Sequence, residues 1–82
     1  MPKYRPLERY LEKADRSRSV SLTFAQIEAI LADVLPASAR VHHAFWANNR
    51  EGHIHATAWL DTGWKVESVD LIKEIIVLTP SR

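Results

Sequence analysis

The sequence predicts an α+β domain of three helices packed on a small antiparallel sheet, the sheet built from a short strand and a C-terminal hairpin. Three observations carry this. Thr23, with Gln26 three residues later, opens a run whose apolar residues fall at helical spacing. Near the C-terminus two strand-like runs, from Trp64 to Val69 and from Glu74 to Thr79, flank a turn-like Asp70 to Lys73. Finally, a chain of 82 residues buries only about 60% of its unfolded surface, so residues 1–82 form one domain with one core.

Taken in order, Leu7, Tyr10, Leu11 and Ala14 lie at i, i+3, i+4 and i+7, the apolar stripe of a first helix beginning near Pro6. Val20 and Leu22 alternate with Ser19 and Ser21 as a short half-buried strand does. At the second helix the Thr23 hydroxyl is placed to accept the Gln26 N–H while the Gln26 side chain reaches back. Leu22 and Ile27 form the accompanying hydrophobic staple. Phe24, Ile27, Ile30, Leu31 and Val34 are its buried stripe, and Pro36 ends it because a proline disfavours helical geometry at Leu35. Pro36 to Gly52 reads as an irregular connection with at most a helical turn capped by Ser38, or with Val41 to Trp46 extended. From His53 to Thr62 the pattern is helical again. Ala56, Trp59, Leu60 and Gly63 lie on one side, His55, Thr57 and Asp61 are more exposed, and Gly63 suits a left-handed helix terminus. The last strand has two apolar faces, Ile75 and Val77 against Ile76 and Leu78, which raises the expectation of a homo-oligomeric contact, whether the strand stays within one chain or exchanges with a partner.

Composition bounds function. With no cysteine there is neither a disulfide framework nor a thiolate metal site. No apolar run approaches the roughly 20 residues that span a bilayer. The first residues, MPKYRPLERYLEK, lack the apolar core of a secretion signal, so a cytoplasmic protein with no membrane partner is expected. The net charge of +1 argues against affinity through bulk phosphate neutralisation. Its distribution is uneven: residues 1–18 hold six basic and three acidic side chains, the rest five and seven. Such an excess suits a phosphate backbone or a solvated helix face.

The element order is helix, strand, helix, connection, helix, strand, strand, which is that of a winged helix-turn-helix. In that architecture the third helix enters the major groove. Here it is the segment from His53 to Thr62, preceded by a connection far longer than the usual three or four residues. A plain three-helix cluster on a small sheet, unrelated to DNA, has the same element order.

The stretch from Phe45 to Trp64, FWANNREGHIHATAWLDTGW, concentrates three tryptophans with two asparagines, an arginine and an HxH pair. Leu22-Thr23-Phe24 with Ile27-Glu28 and Ile30-Leu31, Leu35-Pro36 with Ser38-Ala39, Trp46 with Asn48, and His53 with Ala56 and Ala58-Trp59-Leu60 before Gly63-Trp64 together form a pattern. Written LTFxxIExIL, LPxSA, WWxN, HxxAxAWLxxGWxV, it resembles an uncharacterised family of small bacterial domains of unknown function, over about residues 20–70. The resemblance implies an accessory DNA-binding segment and no reaction. Phe45 stands where the pattern has a first tryptophan and His55 where it has glutamine, so a contact on the third helix differs in this chain.

The indoles could stack on bases, worth about 1–3 kcal/mol each, or supply the core area that so small a domain needs. Asn48 and Asn49 could bond adenine or phosphate, or close turns on their own backbone. Zinc held by His42, His43, His53 and His55 is disfavoured, because helical residues two apart point in different directions and no cysteine is at hand. No catalytic signature is present, and there are two glycines in all. The expectation is thus a small DNA-binding regulatory or accessory protein, not an enzyme, without metal or cofactor. His53, His55 and Thr57 would face base edges, with Asn48, Asn49, Arg50 and Lys65 on sugar and phosphate. The alternative is a protein-protein interaction module, a phage or host-defence adaptor, whose partner docks on the aromatic face.

Overall fold

The computed structural model describes residues 3–49 and 54–81. The chain is α+β. Among the described residues four helices, α1 (Arg5–Lys13), α2 (Phe24–Leu31), α3 (Ala37–Val41) and α4 (Thr57–Leu60), accompany three strands, β1 (Val20–Thr23), β2 (Trp64–Asp70) and β3 (Ile75–Pro80). Two 3-10 turns, His43–Trp46 and Ile54–Ala56, lie between α3 and α4. The sheet is antiparallel in the order β1-β3-β2.

That order explains the two apolar faces of β3. It is the central strand, with Ile76 and Leu78 fully buried against the helices and Ile75 and Val77 half-buried on the outer face. The inner row continues across both edges, Leu22 opposite Ile76 and Val66 opposite Leu78. A register shift between Val66 and Ser68 interrupts β2, as a bulge does in bending a strand.

The start of α2 follows its sequence signature. The Thr23 hydroxyl accepts the Gln26 N–H at 3.0 Å and the Gln26 side-chain oxygen Oε1 accepts the Thr23 N–H at 2.8 Å. Phe24 N–H bonds to the Glu74 carbonyl at 2.8 Å, tying the helix start to the hairpin turn. The end differs from expectation. The helix stops at Leu31, ahead of Pro36, and Val34 is 67% exposed instead of buried. Ala32 turns left-handed at φ 55°, its N–H bonds to the Ala29 carbonyl, and the Asp33 N–H bonds to that of Glu28. This is a Schellman closure built on alanine, which costs about 1–2 kcal/mol where glycine would cost little. The Glu28 carboxylate offsets it by accepting the Leu35 N–H at 2.8 Å.

The connection after Pro36 is more regular than expected, holding α3 to Val41 and a 3-10 turn over His43–Trp46, with His42 between them extended. Conversely, the long third helix expected from His53 to Thr62 is a 3-10 turn followed by the four residues of α4. Gly63 does close it in the left-handed region, at φ 84°. Arg16 caps this end from below, its guanidinium donating to the Thr62 and Gly63 carbonyls and lying 5.8 Å from the Trp64 ring centre. Among the described residues no helix is long and apolar enough to cross a membrane.

Candidate nucleic-acid interface

The three tryptophans are core. Trp46, Trp59 and Trp64 are at most 3% exposed, and each indole N–H has a partner inside the protein: the Ala39 carbonyl at 2.9 Å, Asn48 Oδ1 at 3.1 Å and the Leu11 carbonyl at 3.0 Å. Trp46 lies between Phe24 and Trp59, with ring centres 5.3 and 5.9 Å away. None of the three offers a face to a base or to a protein partner, so of the two readings the indoles allow, core area is the one the structure bears out.

Two of the expected contact residues serve this interior. Asn48 lies at the surface, but its amide is turned onto the free edge of β2. Nδ2 donates to the Val66 carbonyl at 2.9 Å and Oδ1 accepts the Val66 N–H at 2.8 Å, alongside the Trp59 indole. One side chain thus pairs both backbone groups of Val66 as a neighbouring strand would, and it blocks that edge. His55 stacks on Phe45 with ring centres 3.8 Å apart and planes 5° from parallel. Its Nε2 lies 2.5 Å from the Phe45 carbonyl oxygen. A carbonyl only accepts, so this nitrogen carries the proton. The expectation that His55 faces base edges is therefore corrected: its imidazole is part of an aromatic cluster with Tyr4, Phe45 and Trp59.

Of the others, Asn49 is exposed and Thr57 half-buried at the start of α4, where the Thr57 carbonyl accepts the Asp61 N–H at 3.0 Å. Lys65 is exposed on the outer face of the sheet, opposite Thr79. Arg50 and His53 lie outside the described residues. Among the described residues, no three His, Asp or Glu side chains converge as a metal site requires.

A different element presents polar side chains outward. Along α3 and the 3-10 turn, Ala39, Phe45 and Trp46 are buried while Ser38, Val41, His42 and His43 are exposed. The cue for this was in the sequence: Ser38, Val41 and His42 stand at i, i+3 and i+4, a helical face that the adjacent histidines, weighed only as metal ligands, obscured. Arg40 sets the pose of this element. Its guanidinium binds Glu28 of α2 at 2.9 Å and Glu74 of the hairpin turn at 2.6 Å, and lies 5.6 Å from the Phe24 ring centre. Next to it, an open cavity of about 410 Å³ has His43 on one wall and the hairpin residues Ser68 to Ile72 on the other.

The latch around Arg40 carries a pH signature. The Leu35 N–H first, and the Arg40 guanidinium second, hold the Glu28 carboxyl below its ordinary value of 4.5. A carboxyl depressed in the folded state contributes stability above its ordinary value and loses it as the pH falls through the folded one. Acid titration of the unfolding midpoint should therefore fall more steeply below pH 4.5 for the native sequence than for Glu28→Gln. Parallel acid limbs for the two proteins would show that the latch contributes nothing.

No curated protein and no solved structure matches the chain. Residues 4–81, almost the whole of it and every element described above, match the family described as Domain of unknown function (DUF7662), and the chain belongs to that family.

Proposed function

We propose that this chain is a small winged-helix-like DNA-binding module of regulatory or accessory role, in which α3 and the following 3-10 turn take the place of the reading helix and the β2–β3 hairpin that of the wing. The observation that carries the reading is topological. Helix, strand, three helices, the last of only four residues, and a hairpin, with sheet order β1-β3-β2, set the hairpin beside an outward-facing helical segment, the juxtaposition a winged helix uses to straddle a groove. The side chains on that segment suit base edges: a hydroxyl on Ser38, imidazoles on His42 and His43, and Val41 methyls for a thymine methyl. Asn49, Arg50 and Lys65 remain assigned to sugar and phosphate, and His53 and Thr57 to base edges. Phe45 and the three tryptophans, on which the protein-docking alternative relied, are interior and give it little surface to act through.

Cations are few near this face, and Arg40 is already paired with two carboxylates. Binding is therefore weak and non-specific for a monomer, with Kd of about 10⁻⁴ to 10⁻⁶ M at moderate salt. Fluorescence anisotropy of a labelled duplex, titrated with the full chain at two salt concentrations, tests this. The expected result is saturable binding whose log K falls with log salt at a slope of roughly −2 to −4, reduced by about 1 in Lys65→Ala. An unchanged anisotropy at low salt sinks the proposal.

A further inference from the structure

The tip of the hairpin carries the most exposed large apolar side chain among the described residues. Ile72 is 95% exposed, against 63% for Val41 and 42% for Tyr10. An isolated exposed isoleucine needs no explanation in general. This one stands on a backbone built to hold it out. Asp70 Oδ1 accepts both the Ile72 and the Lys73 N–H at 3.0 Å, closing a side-chain turn under the tip. On the other side Glu74 adopts φ 56°, its carbonyl is bound by Phe24 N–H, and its carboxylate by Arg40. Both acidic groups that flank the tip accept bonds from the protein's own donors, and Asp70 and Lys73 are both exposed beside Ile72. The tip is a short, pinned turn with an apolar point between a carboxylate and a cation.

From this we infer that Ile72 is a wedge that enters between two base pairs of a bound duplex from the minor groove and bends the DNA. The inference rests on the DNA-binding reading above. Apolar side chains that partly unstack a base step in this way kink the duplex toward the major groove, and the bent duplex wraps more protein surface. That gives a protein with few phosphate contacts another source of affinity. It also predicts a preference: pyrimidine–purine steps such as TA unstack most readily, so duplexes with a TA step should bind best.

The test uses the full chain, its Ile72→Ser and Ile72→Leu variants, and duplexes labelled at both ends, with 2-aminopurine placed in a TA step. Because Ile72 lies outside the core, both variants are expected to retain the native unfolding midpoint. At saturating protein, the native chain and Ile72→Leu should raise both end-to-end energy transfer and 2-aminopurine emission. Ile72→Ser should raise neither, and should bind about tenfold more weakly. Saturated binding by the native chain with no change in either signal, or equal signals from Ile72→Ser, overturns the wedge while leaving DNA binding intact. No binding of any duplex by the native chain overturns both. Loss of solution dimers in Ile72→Ser, with DNA signals unchanged, would assign the tip to contact with a second copy and also overturns the wedge.

Discussion

Trp46→Ala is expected to remove about 3–5 kcal/mol of stability, the cost of truncating a buried large aromatic side chain. A domain of this size commands little more than that in total, so the variant should be largely unfolded at room temperature. The indole is 3% exposed and fills the space between Phe24 and Trp59. Removing it opens a cavity at the centre of the core and strips the Ala39 carbonyl of its donor, and Ala39 is itself fully buried in α3. Trp46→Phe separates the two contributions. It keeps a ring between Phe24 and Trp59 and forfeits the N–H, and should cost about 1–3 kcal/mol through the unpaired carbonyl together with the smaller ring. Urea unfolding followed by circular dichroism reads both. A folded Trp46→Ala protein of native midpoint would contradict the interior placement of the indole and restore it as a surface residue.

Much of the fold could be read from the chain because local chemistry and tertiary packing agree there. The box of Thr23 and Gln26, the left-handed Gly63 and the two C-terminal strands each have a short-range physical cause, and each stands where the residues place it. The misreadings share a different character. Nothing local marks Ala32 as a helix terminus; the turn is imposed from a distance, by the Glu28 carboxylate on Leu35 N–H and by Arg40 bridging α2 to the hairpin. Likewise the apolar spacing from Ala56 to Leu60 describes a buried face correctly but not its length. Ala56, Ala58, Trp59 and Thr62 are all buried. A segment so enclosed holds its shape by packing, whether or not it completes several helical turns.

The candidate site was harder to read for the same reason. Phe45 and His55, the two positions at which this chain departs from the motif it otherwise follows, are ten residues apart in sequence yet stack face to face. A tryptophan and glutamine there would need a different arrangement of area and hydrogen bonds. Both positions belong to one interior aromatic cluster. Residue type alone made His55 and Asn48 look like readers of a polar partner. Contact with Phe45 and with the β2 edge makes them supports of the core.

Asn48→Ala separates these two roles most sharply and should be the second most damaging change. The amide makes three hydrogen bonds, to Val66 N–H, the Val66 carbonyl and the Trp59 indole. Losing them together leaves the indole N–H unpaired in the core and reopens the edge of β2, where water can reach Val66. A buried unsatisfied group costs about 1–3 kcal/mol, and the solvent-accessible pair less. A total near 2–3 kcal/mol, or roughly 10–20 °C in Tm for a domain of this size, follows. Asn48→Asp provides the control. A carboxylate still accepts from Val66 N–H and Trp59, but it faces the Val66 carbonyl with no proton to donate, so the destabilisation should persist and should lessen on acidification as the carboxyl protonates. If Asn48 instead contacted DNA, Asn48→Ala would keep the native Tm and lose affinity. Thermal unfolding and anisotropy on the same sample distinguish these outcomes. A lowered Tm, with the affinity of the remaining folded protein unchanged, would establish that Asn48, with the Trp59 indole it bonds, serves the fold and not a ligand.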